Sequence, residues 1–478
     1  MKLLGIRICE HDSNFSYFDG EKVHYLKTER KYQIKHHGVN HLQEWEQIIF
    51  EQWNINSKVL DEIAIVFDPW LYDLSTREDW FYPSIEIDFP ANCKVTRLNH
   101  HYAHHLSCFP LCDSINLNGV VMDGFGDYDR CWSVFRNNKL ISEGSVKQNG
   151  SIGLEMSEIG KHFDLQGHYL DIAGKIMSLQ SYGNIDQELI NFLKKFKIEE
   201  TGHIFNIYYG LDKSKQDWLR TIHEYTADIL IEFMKRFFSK NEVFCFSGGV
   251  ALNVCWNTKI KKYFKNIIIP PHCGDEGLSL GALEYLRIKH NLPKLKLDNF
   301  PYCQSDEQPS IPPNISLIKK TSELLKQQKI IGWYQGNGEI GPRALGNRSI
   351  LADPRDREMK NKVNKIKKRE DFRPFGSSTI NKSYNRSDYM LFAYPINSKK
   401  YPAIAHVDNT CRHQTLYNSS LFKDLIEQFY VDTECDTLLN TSLNINGKPI
   451  ASHKSNALDI LNNSELDGLV FGNELYLK

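Results

Sequence analysis

A chain of 478 residues is long for one hydrophobic core, so two or three domains are expected. Its 41% hydrophobic and 24% charged residues are ordinary for a soluble globular protein, and no apolar run reaches the ~20 residues of a membrane span. A formal net charge of −1 excludes a global electrostatic preference for nucleic acid or an anionic membrane.

The start, MKLLGIRICEHDSN, carries Arg7 and Glu10 and lacks the length of a signal segment, so it reads as a first strand. Further short apolar runs follow: VTRL, GVVMDG, EVFCFSGG and NIIIPP. Helical patterns such as EYTADILIEFMKRFF at 224–238 lie between them. This alternation predicts an α/β domain over residues 1–290. Residues 291–314, rich in Pro and polar side chains, read as a linker. A second domain, 315–478, opens with the helix SELLKQQ and the strand IIGWYQ. No internal repeat or low-complexity tract is visible. The eleven cysteines are scattered, without a Cys-x-x-Cys pair, and read as reduced thiols of a cytoplasmic protein.

Residues 97–109, RLNHHYAHHLSCF, hold four of the eighteen histidines. On a helix, a spacing of four puts two side chains on one face, and both His100/His104 and His101/His105 satisfy it. Two imidazoles alone make a poor metal site. Asp123, in VVMDGFGD, and Asp275, in PPHCGDEG, stand after apolar strands, where such sheets display their chemistry. Two histidines and two carboxylates suit Fe(II), Mn or Zn better than Mg or Cu(I). The glycine turns at Gly124/Gly126 and Gly248/Gly249, the latter followed by Asn253, have the form of phosphate-binding turns in an actin-like, ribonuclease-H-like architecture.

The second domain is dense in polar groups. GPRALGNRSILADPR supplies Arg343 and Arg348, and KIKKREDFRPFG supplies Lys367, Arg369 and Arg373. AIAHVDNTCRHQT alternates His406, Asp408, Thr410, Arg412 and Gln414, a spacing that predicts one face of a strand. LLNTSLNINGKPI adds Asn440 and Ser442. A buried polar row needs partners, and a polyanionic ligand would supply them. The basic run at 360–371, which in isolation is a solvated helix face, is better explained by phosphate binding.

NHHYAHHLS, VVMDGFGD, FSGGVALN, CGDEG, EIGPRALGNRSILADPR, KKREDFRPF, AHVDNTCRHQT and LLNTSLNINGKPI occur in the order found in the O-carbamoyltransferases of the nodulation-factor and antibiotic-tailoring family, and over nearly its whole length the chain resembles them. The resemblance implies an actin-like transfer domain and a YrdC-like α+β domain that forms carbamoyl adenylate from carbamoyl phosphate and ATP, with Mg(II) accompanying the nucleotide. It implies His100, His104, Asp123 and Asp275 as metal ligands, which chooses between the two histidine pairs, and His11 as the group that helps deprotonate or orient an acceptor hydroxyl. Gly124, Gly126, Gly248, Gly249 and Asn253 would hold the adenylate at the transfer site. Arg343, Arg348, Lys367, Arg369, Arg373, His406, Arg412, Asn440 and Ser442 would hold ATP and carbamoyl phosphate, with Arg343, Lys367 and Arg412 acting in catalysis. The acceptor is a hydroxyl-bearing small molecule, sugar or glycolipid. Two alternatives are a threonylcarbamoyl-type tRNA-modifying enzyme, which the absence of an aromatic-basic platform disfavours, and a non-enzymatic actin-like scaffold, which leaves the polar row without a purpose.

Overall fold

The computed structural model describes residues 1–39, 41, 44–67, 84–195 and 214–478. Leu3–Ile8 is buried at every position, as a strand covered on both faces must be. It lies within a six-stranded sheet that runs, from edge to edge, Val23–Lys27, Asn14–Phe18, Leu3–Ile8, Glu62–Phe67, Lys94–Leu98 and Ser84–Glu86. The first three form an antiparallel meander, and Glu62–Phe67 and Lys94–Leu98 extend it in parallel.

A second sheet repeats this plan. Gly119–Met122, Arg130–Arg136 and Lys139–Ser145 form the meander, and Phe244–Ser247 and Ile267–Ile268 add in parallel beside Gly119–Met122. Three antiparallel strands extended by two parallel ones, twice over, are the actin-like, ribonuclease-H-like architecture expected from the sequence. The repetition lies in strand order, which apolar runs of similar composition carry without sequence identity.

Helix Leu278–Lys289 packs on strands Leu3–Ile8 and Glu62–Phe67 of the first sheet, and helix His100–Leu106 packs on Gly119–Met122 and Phe244–Ser247 of the second. The two helices meet at Gly281, where an added Cβ would stand 1.9 Å from the Ala103 carbonyl oxygen. This close approach brings the histidine helix under the ends of both sheets.

The third sheet has eight strands, in the order Ala393–Pro395, Thr410–Thr415, Gly376–Thr379, Thr437–Ser442, Arg348–Ala352, Ile331–Tyr334, Gly468–Phe471 and Glu474–Leu477. Its own core includes Trp333, Ile350, Leu425, Phe429 and Leu439. Residues 291–314 form no helix or strand, yet Leu295 and Cys303 are buried and Gln304 bridges Tyr25 and Gly338. This segment is packed against both sides. The basic run at 360–371 begins as helix Met359–Lys367, which buries Val363, Ile366 and Lys367 and exposes Lys362 and Lys365. No helix among the described residues is long and apolar enough to cross a membrane.

Candidate functional site

Asn99 caps the helix His100–Leu106 by accepting from the Tyr102 N–H, and Asp127 accepts from the His100 N–H at 2.7 Å while pairing with Arg97 at 2.5 Å. The next turn brings His104 over His100, with their Nε2 atoms 3.1 Å apart. Asp123 follows strand Gly119–Met122 directly, and its Oδ2 lies 2.9 Å from His104 Nε2 and 3.4 Å from His100 Nε2. Asp275 Oδ1 lies 3.3 and 3.5 Å from the same two nitrogens. One donor atom from each of the four lies within 4.8 Å of every other. His104 is fully buried, and the two carboxylates keep 13% exposure, so the cluster opens to solvent on their side.

The electrostatics show what the cluster requires. Burial pulls the His100 pKa down, but the Asp275 charge and hydrogen bonds to both carboxylates lift it to about 10. Burial likewise opposes ionisation of Asp123 and Asp275, and the two histidines outweigh it and hold both carboxyls well below their ordinary values. Two ionised carboxylates at this depth call for positive charge between them. A proton on the imidazoles answers that need, and so would a divalent cation. The mixed N/O donor set is one that could hold such a cation.

The other pair, His101 and His105, serves packing. His101 Nδ1 bonds to Ser133 Oγ at 2.8 Å, and His105 Nε2 to Asn138 Oδ1 at 3.1 Å, its ring stacked on Phe135. Burial drives the His105 pKa down to about 4.

The glycine turns play a different part from the one expected. Gly124 and Gly249 both donate their N–H to Asp123 Oδ1, at 2.7 and 3.2 Å. Gly248 donates to the Cys273 carbonyl and Gly126 to the Arg130 carbonyl, both at 2.8 Å. Gly248 has φ +91°, and a Cβ there would stand 2.1 Å from the Met122 carbonyl oxygen. All four N–H groups thus bond within the protein, and the turns aim Asp123 instead of cradling phosphate. Asn253 is corrected too. Its side chain caps helix Val254–Tyr263 and bonds His223 Nε2 at 2.9 Å.

Sequence reasoning missed two supports of Asp275. Arg7 Nη2 reaches its Oδ2 at 3.2 Å, and Asn14 donates to its carbonyl at 2.9 Å. Arg7 precedes the HDSN turn that carries His11, and Asn14 is its last residue. His11 Nδ1 faces Asp12 Oδ2 at 3.3 Å. Burial lowers the His11 pKa, while Asp12 and the Asp275 charge raise it to a net upward shift. Asp12, Glu29 and His36 form a second group of convergent ligand atoms, but Lys27 Nζ already sits 3.1 Å from Asp12 and 3.2 Å from Glu29.

The second centre gathers Arg343, Lys367, Arg369, Arg373 and Arg412. Lys367 is buried and donates to the Ser442 carbonyl and hydroxyl oxygens at 2.6 and 3.0 Å. The four arginines are half-buried. Burial, followed by the charges of Arg369 and Arg373, pushes the Lys367 pKa well down, and burial with Arg373 brings Arg369 to about 9. Arg412 is lowered by burial and by Arg343, Arg369 and Arg373. Glu370 lies 3.7 Å from Arg373, yet among the described residues no carboxylate is within ion-pair distance of Arg343, Lys367, Arg369 or Arg412. The Nε atoms of Arg343 and Arg412 are buried without a hydrogen-bond partner.

Two expectations for this centre are corrected. Arg348 is fully buried, stacks on Tyr334, and donates to the Gln335, Gly336 and Asn347 carbonyls, so it is a structural strut. The five-residue polar row does not share a strand face. The strand begins at Thr410, and His406 stands in the preceding turn with Nε2 on the Ser178 carbonyl at 2.9 Å. Asn440, in the floor of the sheet, donates to Ala344 O and Ser378 Oγ, and its Oδ1 is unpartnered. Glu339, not singled out in the sequence, accepts from the N–H groups of Leu345, Asn347 and Arg348 and shapes the loop that holds Arg343.

The two centres are neighbours. Arg343 Nη2 donates to the Leu252 carbonyl, at the end of the turn whose Gly249 N–H reaches Asp123.

With this geometry in place, the comparisons with known proteins identify the lineage. Residues 84–283 match the family model described as the carbamoyltransferase N-terminus, and residues 322–478 match that of the carbamoyltransferase C-terminus. The chain belongs to the carbamoyltransferase family. It is similar to the nodulation protein NolO of Bradyrhizobium diazoefficiens, 27% identical over 435 residues that cover 78% of each chain. It is also similar to the nodulation protein NolNO of Sinorhizobium fredii, 28% identical over 442 residues that cover 80% of this chain and 64% of that one. This carbamoyltransferase thus keeps both family halves in one polypeptide, with the carboxylate–histidine cluster in the first and the cationic centre in the second.

Proposed function

We propose that this carbamoyltransferase works in two steps at its two centres. In residues 315–478, water takes the phosphoryl group of carbamoyl phosphate, which leaves as phosphate, and the carbamate oxygen attacks the α-phosphorus of ATP to give carbamoyl adenylate and pyrophosphate. The adenylate then passes to the actin-like half, where an acceptor hydroxyl takes the carbamoyl group and AMP leaves. The observation that carries this reading is the set of recessed cations without counter-charges. Polyanionic substrates supply the charge that Arg343, Lys367, Arg369 and Arg412 lack, Arg373 being paired with Glu370, and guanidinium forks suit phosphate oxygens. Ser442 would lie beside the substrate through its bond to Lys367.

In the transfer half, His100, His104, Asp123 and Asp275 would hold the metal, whose charge, when bound, polarises or anchors the carbamoyl group. His11 orients the acceptor. Asp12 holds its Nδ1, leaving Nε2 to accept the hydroxyl proton. Arg7 and Asn14 keep Asp275 aimed at the cluster. The short path from Arg343 through Leu252 and Gly249 to Asp123 supports transfer of a labile intermediate over a small distance. The acceptor belongs to the class of hydroxyl-bearing small molecules and sugars, and the protein is placed in the cytoplasm.

The test is exchange of labelled pyrophosphate into ATP. Exchange is expected only with carbamoyl phosphate present, and Arg412→Ala should lower it by ~10²-fold or more. Exchange that ignores carbamoyl phosphate, or that survives in folded Arg412→Ala, refutes the reading.

A further inference from the structure

Apart from the two centres, the densest reactive chemistry is a knot of thiols. Cys108, Cys112 and Cys245, with Leu117, form a small buried cluster of their own. Cys112 Sγ lies 3.4 Å from Cys245 Sγ, and a disulfide bond is ~2.05 Å long, so closure needs about 1.4 Å of approach. The two sides differ in freedom. Cys245 sits in strand Phe244–Ser247, held in register against Gly119. Cys112 follows the short turn Phe109–Leu111, in a loop that can supply the movement, and keeps 7% exposure. Lys294 Nζ bonds the Cys112 carbonyl at 2.6 Å, and Lys294 and Pro110 line a surface groove of about 460 Å³ close to this loop.

We propose that Cys112 and Cys245 are a redox modification site that closes to a reversible intramolecular disulfide. The Cys245 hydrogen bond, working against burial and aided by the Lys294 charge, holds the Cys112 thiol below its ordinary pKa, whereas neighbouring thiols and burial push Cys245 up. Cys112, with 7% exposure against 2% for Cys245, is the sulfur an oxidant reaches first and so the attacking one. With a peroxide as oxidant, the Cys112 thiolate attacks the O–O bond and becomes a sulfenic acid, and one oxygen leaves as water. Cys245 sulfur then attacks the sulfenyl sulfur and gives up its proton, the S–S bond forms, and the second oxygen leaves as water. Two electrons pass from two thiols to one peroxide. The position gives the bond meaning. Ser107, next to Cys108, and Ser247, two residues after Cys245, both donate to the His104 carbonyl, at 2.8 and 3.0 Å, so the bridge ties together the segments that support that histidine.

The experiment treats the full-length, metal-containing protein with one equivalent of hydrogen peroxide, blocks remaining thiols by alkylation, and maps non-reduced peptides with fragmentation. The expected result is a linked Cys112–Cys245 pair, lighter by two hydrogens, that dithiothreitol reverses and Cys112→Ser abolishes. A link through Cys108 instead, or alkylation of both Cys112 and Cys245 after oxidation, overturns the proposal.

Discussion

The two centres of this carbamoyltransferase are opposite in sign. In the first, two carboxylates and two imidazoles converge, and protons must sit among them to balance the charge. In the second, five cations converge, and burial, followed by their mutual repulsion, pushes down the pKa of Lys367, Arg369 and Arg412. Under the proposed function each is a charge deficit for a ligand to fill, a cation in one case and phosphates in the other. The fold carries both deficits because each lies in a recess where hydrogen bonds fix geometry without cancelling charge. Gly124 and Gly249 hold Asp123, and the Ser442 carbonyl holds Lys367.

The largest effect that sharpens this contrast is a separation of the two steps. His104→Ala should lose bound metal by elemental analysis and lower acceptor carbamoylation by orders of magnitude, while carbamoyl-phosphate-dependent pyrophosphate exchange stays near wild type. His101→Ala should keep metal and both activities. Its cost is in stability, about 1–3 kcal/mol, because it leaves Ser133 without a partner in a buried gap, and denaturant unfolding measures it. Loss of metal in His101→Ala, or loss of both activities together in His104→Ala, would merge the two centres into one.

A smaller effect tests the deficit in the cationic centre directly. Arg412→Met removes one of the mutually repelling charges, so the melting temperature should rise, on the order of a few degrees, even though exchange is lost. Pyrophosphate should stabilise the wild type more than the variant. A fall in melting temperature would mean that Arg412 is already compensated in the fold.

The smallest effect is in pH. Lys367 has a folded pKa below its unfolded value, so between that lowered value and ~10.4 the unfolded chain binds more protons. Stability should therefore rise with pH across this interval, while affinity for pyrophosphate falls as Lys367 loses its proton. Lys367→Met should flatten both slopes, as read by melting and by calorimetric titration.

The sequence made the first centre largely legible and the second only in outline. Asp123 and Asp275 stood out as polar residues after apolar strands, and a helical spacing of four marked two histidine pairs, between which only the family resemblance chose His100 and His104. The glycine turns were equally visible, yet their N–H groups bond Asp123 and nearby carbonyls, which depends on contacts across the two sheets. In the second centre, residue type was not enough. Arg343 and Arg348 stand five positions apart, one in a loop and the other opening a strand, and only the carbonyls gathered around Arg348 make it a strut. The polar row at 406–414 broke for a similar reason, since the turn before Thr410 sends His406 to Ser178 in the other half of the molecule.

By itself, then, the sequence determined the elements and the chemistry available. Apolar periodicity placed the strands, and the residue types supplied imidazoles, carboxylates and guanidinium groups in family order. Tertiary structure decided which of these groups act together. Both histidine pairs satisfy the same spacing, but a helix turns about 100° per residue, so His100 and His104 face the two carboxylates while His101 and His105 face Ser133, Asn138 and Phe135. That rotation is set by the close contact of Gly281 with Ala103 and by the Asn99 cap. Packing of one helix against another, brought together from distant parts of the chain, is a physical fact that no local window of sequence contains.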